Sequence, residues 1–176
     1  MPEPRRERRL FWRWLALALV VVVLDQWTKH LAELWLQPSR PLTVMPVLDL
    51  VLQYNAGAAF SFLADAGGWQ RWLLAAVALG VSLLLIAWLR RLGTGQGLLG
   101  CGLALLLGGA LGNLWDRLSL GQVVDFIGLH WQGHYFPAFN VADSAITCGV
   151  ILLLLDWWRN PGPGSGPSVE ETPHEQ

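Results

Sequence analysis

Residues 14–29 read WLALALVVVVLDQWTK: an unbroken apolar run from Trp14 to Leu24, then Asp25 and Lys29 one helical turn apart. A hydrocarbon layer of ~30 Å is crossed by about 20 mostly apolar residues at ~1.5 Å each. Followed to both sides, this stretch reaches that length over residues 10–36, and the stretches 70–90, 97–119 and 138–158 reach it as well. Of the 176 residues 53% are apolar and 14% charged, too few charges for a soluble domain, which carries about a quarter. A mainly α, polytopic membrane protein with four transmembrane helices is expected. The net charge of −1 offers no field for nucleic acid. A cleavable signal peptide is the rival reading of the first stretch, but three further spans follow it and no small-residue cleavage site closes it.

Basic residues favour cytoplasmic loops. Arg5, Arg6, Arg8, Arg9 and Arg13 precede or open the first span, Arg90 and Arg91 lie between the second and third, and Arg159 follows the fourth. Eight of the 12 bases thus fall on one side, which predicts both termini cytoplasmic and outer segments at 37–69 and 119–138. Residues 1–159 read as a single membrane domain. The Pro- and Gly-rich stretch 160–176 has too little apolar surface to fold and reads as a disordered cytoplasmic tail. In the outer segments, Leu48, Leu50, Leu52 and Tyr54 alternate with Val47, Asp49, Val51 and Gln53, and Gln122 to Trp131 is similarly β-rich before a Gln132-Gly133 turn. A small outer β-sheet cradle follows, able to lend backbone hydrogen bonds to an extended peptide.

Cys101 and Cys148 fall inside spans as apolar fillers, and the four histidines have no ligand spacing, so no metal site is expected. The informative residues are polar ones where polarity is costly. Asp25 and Lys29 read as a neutralising structural pair or as part of the chemistry. Gly108 and Gly112 form a small-xxx-small face that admits a neighbouring helix. Asn113, Asp116 and Arg117 follow on one helix face, where a solvated helix end would account for the two charges. Asp125 and Asp143 both sit among apolar neighbours near the outer surface, joined by a hairpin. Brought together, they would share a proton and could activate water against an amide; apart, they are a surface acid and a helix-capping acid.

The ordered strings Asp25-Gln26-Trp27-Thr28-Lys29, Asn55-Ala56-Gly57-Ala58-Ala59-Phe60-Ser61, Gly108 through Arg117, Val123-Val124-Asp125-Phe126 and Phe139-Asn140-Val141-Ala142-Asp143-Ser144 resemble the bacterial lipoprotein signal peptidases, or signal peptidase II, in register from about residue 15 to 158. The resemblance implies an intramembrane aspartic endopeptidase that removes the signal peptide of diacylglyceryl-modified prolipoproteins just before the lipidated cysteine. It assigns Asp125 and Asp143 as the catalytic pair and implies no metal or organic cofactor. Asn55, Asn113, Arg117 and Asn140 become active-site lining, with Asp25, Lys29 and Asp116 as support. It further implies a monomer in the bacterial cytoplasmic (inner) membrane, in contact with membrane lipid, with the site near the outer face. A small multi-pass transporter using the acids as a relay, or a non-catalytic membrane scaffold, are the alternatives.

Overall fold

The computed structural model describes residues 4–57 and 67–160, with side chains from residue 7 onward. Residues Ala58 to Ser61 of the second string, and 161–176 of the expected tail, lie outside the described residues. The chain runs α1 (Pro4–Trp35), β1 (Leu42–Met45), β2 (Leu48–Asn55), α2 (Trp69–Leu89), α3 (Gly97–Ser119), β3 (Val123–Trp131), β4 (His134–Tyr135) and α4 (Val141–Arg159). Each of the four helices contains a segment long and apolar enough to cross a membrane. Their outward faces are apolar, with Leu19, Val23, Leu83, Leu84, Ile151 and Leu154 all exposed, as a lipid-facing surface requires.

The helix bounds depart from the sequence reading at two places. α1 begins at Pro4 rather than 10, because the arginines at this end are good helix formers and the helix continues beyond the apolar run. α4 begins at Val141 rather than 138, because Phe139 is still paired to β3: its carbonyl accepts from the amides of Phe126 (3.1 Å) and Ile127 (2.9 Å), and its own amide donates to Ile127 at 3.0 Å.

α3 is the central helix, packed against α1, α2 and α4. Between apolar helices in lipid there is no hydrophobic drive to associate, so close packing has to supply the attraction, and small residues let backbones approach. The expected Gly108/Gly112 face lies on α1, with Gly108 against Val21 and the Ala18 carbonyl and Gly112 against the Asp25 carboxylate. Gly109 faces the other way, onto the Ala142 carbonyl and Ile146 of α4. A methyl at Gly109 meets backbone that cannot swing aside. Gly109→Ala is therefore expected to cost about 1–3 kcal/mol of stability. Thermal unfolding in detergent checks this, with Gly80→Ala, a site with open space around it, showing no loss. The half of the α1–α2–α3 contact farther from the sheet is a leucine core of Leu85, Leu89, Leu92, Leu103 and Leu107 around Ala18.

The four strands form one antiparallel sheet in the order β1-β2-β3-β4. Gln132 and Gly133 both have positive φ, 49° and 82°, and close the β3–β4 hairpin as its two-residue loop. The alternation read in β2 breaks where its pairing to β3 shifts between Leu50 and Gln53, so Val51 and Leu52 are both buried. Beyond that irregularity Gln53 lies opposite Asp125. Leu50 and Phe126 line an apolar cavity with Leu31, Ala32 and Trp35 of α1, between the sheet and the carboxyl-terminal part of that helix.

Candidate active site

The ends of α1, α3 and α4 nearest the sheet and the start of β3 converge on a buried polar cluster. Lys29 is 3% exposed, and its ammonium lies 2.7 Å from Asp25 Oδ2, 2.8 Å from Asp116 Oδ2 and 3.0 Å from Asn113 Oδ1. Asp116 is 2% exposed, so it is not the solvated helix end that its position near the end of α3 allowed. Asp25 and Asp116 each spend their second oxygen on the backbone or on a neighbouring amide. Asp25 Oδ1 accepts from the Ala142 amide at 2.8 Å, one residue before Asp143. Asp116 Oδ2 accepts from the Val124 amide at 3.2 Å, one residue before Asp125. Gln26, which sequence reasoning passed over, donates to Asp116 Oδ1 at 2.7 Å and to Asp25 Oδ2 at 3.3 Å. Its signal was its place inside the Asp25-to-Lys29 string.

This cluster sets the position of Asp125 and Asp143. Asn140, fully buried at the amino cap of α4, is the piece between them. Its side-chain amide donates to Asp125 Oδ1 at 2.7 Å, and its side-chain oxygen accepts from the Asp143 amide at 2.9 Å, while its own backbone amide reaches Asp143 Oδ2 at 3.3 Å. The reciprocal pair with Asp143 is a capping box, so Asp143 does cap α4 and is also held toward Asp125. Asn113 donates to Asp143 Oδ1 at 2.8 Å and Asn55 to Asp125 Oδ2 at 3.3 Å. Each carboxylate oxygen thus has a donor, and among the described residues neither acid forms an ion pair.

Both acids line a cavity of about 500 Å³ together with Asn55, Asn113 and Arg117. Its walls are otherwise largely apolar, with Phe136, Pro137, Phe139 and Ile146 among them, and Gln53, Tyr54 and Thr147 also line it. Arg117 donates to the Asn113 carbonyl at 3.2 Å and to the Gly57 carbonyl at 3.1 Å, fastening the strand end after Asn55 to α3. Burial, then the negative charge of Asp143, pushes the Asp125 carboxyl up to about 7, against the lowering effect of the Asn55 and Asn140 amides. Burial of this carboxyl thus favours its protonated form.

The site residues read from the sequence come together in this one place: Asp25, Lys29 and Asp116 in the buried cluster, Asn113 and Asn140 between cluster and cavity, Asn55, Arg117, Asp125 and Asp143 around the cavity. Asp49 does not join them. It is buried in β2, with Oδ1 3.4 Å from His130 Nε2 of β3. Among the described residues no group of three or more His, Cys, Asp or Glu side chains is placed to hold a metal ion.

Four membrane-length helices under a small antiparallel sheet, with two carboxylates held in a cavity at the helix ends nearest the sheet, define a polytopic membrane protein with a buried acid pair. The comparisons narrow this further. A family model described as signal peptidase (SPase) II matches residues 17–159. The lipoprotein signal peptidase of Pseudomonas aeruginosa (strain UCBPP-PA14) is 53% identical over 166 residues, covering 93% of this chain and 97% of that protein. That of Acinetobacter baumannii (strain ATCC 17978) is 54% identical over 143 residues, covering 81% of each. A solved bacterial membrane enzyme, determined by the in meso method at 2.3 Å, superposes with a TM-score of 0.76 at 27% identity, covering 93% of this chain and 94% of that one. The chain belongs to the signal peptidase II family, and is a membrane-embedded protease.

Proposed function

We propose that this protein removes the signal peptide from diacylglyceryl-modified prolipoproteins by cutting just before the lipidated cysteine, with Asp125 and Asp143 as an aspartic dyad. The observation that carries the reading is the Asn140 clamp, which holds both carboxylates on one cavity. A water between them gives its proton to Asp143 as its oxygen attacks the scissile carbonyl carbon, while Asp125 passes its proton to the carbonyl oxygen. The tetrahedral diol then collapses: the C–N bond breaks, Asp143 protonates the departing nitrogen, and one hydroxyl proton returns to Asp125. The products are a carboxylic acid on the signal peptide and a free amine on the lipidated cysteine. The amides of Asn55, Asn113 and Asn140 hold the dyad oxygens, so the pair is oriented before substrate arrives.

The arginine bias supports a reading with both termini in the cytoplasm and this cavity near the outer face of the bacterial inner membrane. There the substrate's diacylglyceryl group can stay in lipid while its peptide reaches the dyad. All the residues invoked belong to one chain, so a monomer suffices. A proton relay across the membrane is disfavoured by the leucine core, which fills the inner half of the bundle below Asp25. The 1–159 membrane domain is read as the catalytic unit. Purified protein in nanodiscs is expected to cut an S-diacylglyceryl peptide to a fragment beginning at the modified cysteine, read by mass spectrometry, and to leave the unmodified peptide intact. Equal cleavage of both peptides, or a cut elsewhere, overturns the substrate assignment.

A further inference from the structure

A second cavity, of about 420 Å³, lies at the opposite end of the bundle, lined by Arg9, Leu10, Arg13, Thr94 and Gly95. Arg9 and Arg13 are four apart on α1 and so share a face. Thr94 and Gly95 belong to the turn joining α2 to α3. That turn is fixed by a bond from the Gly93 amide to the Gln96 side chain at 2.8 Å. Arg90, at the end of α2, lies with its guanidinium 5.6 Å from the Phe11 ring centroid, so a third cation is packed against α1 at this level. Among the described residues the ion pairs involve only Asp25, Lys29, Asp49, Asp116 and His130, and Arg9, Arg13, Arg90 and Arg91 have no carboxylate partner. Unneutralised like charges around a cavity repel one another, and a bound anion relieves that repulsion.

From this we infer that the cavity is a binding site for one anionic glycerophospholipid, its phosphate between Arg9 and Arg13. The depth selects a lipid over a free anion. Trp12, Trp88, Trp157 and Trp158 are all exposed at this end of α1, α2 and α4, and tryptophans gather at the headgroup level of a bilayer. Leu10 gives the cavity an apolar wall, and the exposed apolar faces of α1 and α2 continue from it toward the membrane centre. Phosphate and acyl chains thus each meet a surface of matching character. Basic pockets on the cytoplasmic side of helix bundles recognise anionic headgroups by this combination.

The test is native mass spectrometry of the full chain released from nanodiscs of phosphatidylglycerol and phosphatidylcholine in equal amounts. The wild type is expected to retain one phosphatidylglycerol, in preference to phosphatidylcholine by roughly tenfold or more, and Arg9→Gln/Arg13→Gln to lose that preference. Arg159→Gln, at the same end but outside the cavity, is expected to keep it. Unfolding midpoints in pure phosphatidylcholine show whether the double variant is folded. Should it not be, inorganic phosphate added to the wild type decides: the lipid is expected to stay bound. Undiminished preference in the folded double variant, equal loss in Arg159→Gln, or displacement by inorganic phosphate overturns the proposal.

Discussion

Asp125→Asn and Asp143→Asn are each expected to lower the rate of signal-peptide removal by ~10⁴-fold, since each takes away one of the two proton transfers that general acid–base catalysis contributes. The loss is not expected to come from unfolding. Asp125 is buried, and its carboxyl sits at about 7 in the folded protein against an ordinary 3.8. Between those values the folded chain binds a proton that the unfolded chain releases, so this group's contribution to stability falls as pH rises from about 4 to 7, and the penalty is complete above 7. Removing the charge removes the penalty, and the replacement's carbonyl can still accept from Asn140. Asp125→Asn should therefore be at least as stable as the wild type at pH 8 while cleaving almost nothing. Unfolding and turnover of the same preparation give both quantities, and substantial cleavage by both variants would eliminate the dyad.

The second large effect is expected at Lys29→Met. Its ammonium has three protons and uses them on Asp25, Asp116 and Asn113, within the low-dielectric end of the bundle. Met keeps the length of the stem but leaves two buried acids with no counter-charge, a loss of about 3–5 kcal/mol by the usual cost of breaking a buried ion pair. The loss reaches the cavity as well. Asp25 and Asp116 hold the amides of Ala142 and Val124, the residues just before Asp143 and Asp125, and Lys29 holds those two acids in register. Lys29→Met/Asp116→Asn should recover part of the stability, because only one buried acid is left unpaired. A Lys29→Met protein with wild-type stability and turnover would show that the cluster positions nothing.

The spans were legible because a bilayer demands length and apolarity, and both are local properties of the chain. β2 and β3 were legible for a similar reason, as alternation with a turn signal at Gln132-Gly133. β1 was not read: Leu42 to Met45 is short, lies among prolines, and is a strand only through its pairing to β2. The start of α4 was misplaced by the pairing of Phe139 to Ile127, which depends on a segment 12 residues away. Asp116 reads in isolation as a helix-end charge, and only Lys29, 87 residues earlier, makes its burial affordable. Gln26 was hidden in the same way, since its partners Gly112 and Asp116 lie on α3. Asp125 and Asp143 stood out as candidates because acids are rare in this chain and these two have apolar neighbours, and it took the family resemblance to pair them. What brings them together, the Asn140 clamp, is a matter of geometry that spacing alone does not give.

The central claim is that Asp125 and Asp143 act as one pair holding one proton, and the pH dependence of kcat/KM on a diacylglyceryl-modified peptide tests it most directly. One ionised and one protonated acid are needed, so the rate should rise from low pH as the first carboxyl ionises and fall again as the last proton leaves, with the descending limb centred near the Asp125 value of about 7. A rate that stays level or keeps rising from pH 6 to 9 would contradict the shared-proton dyad.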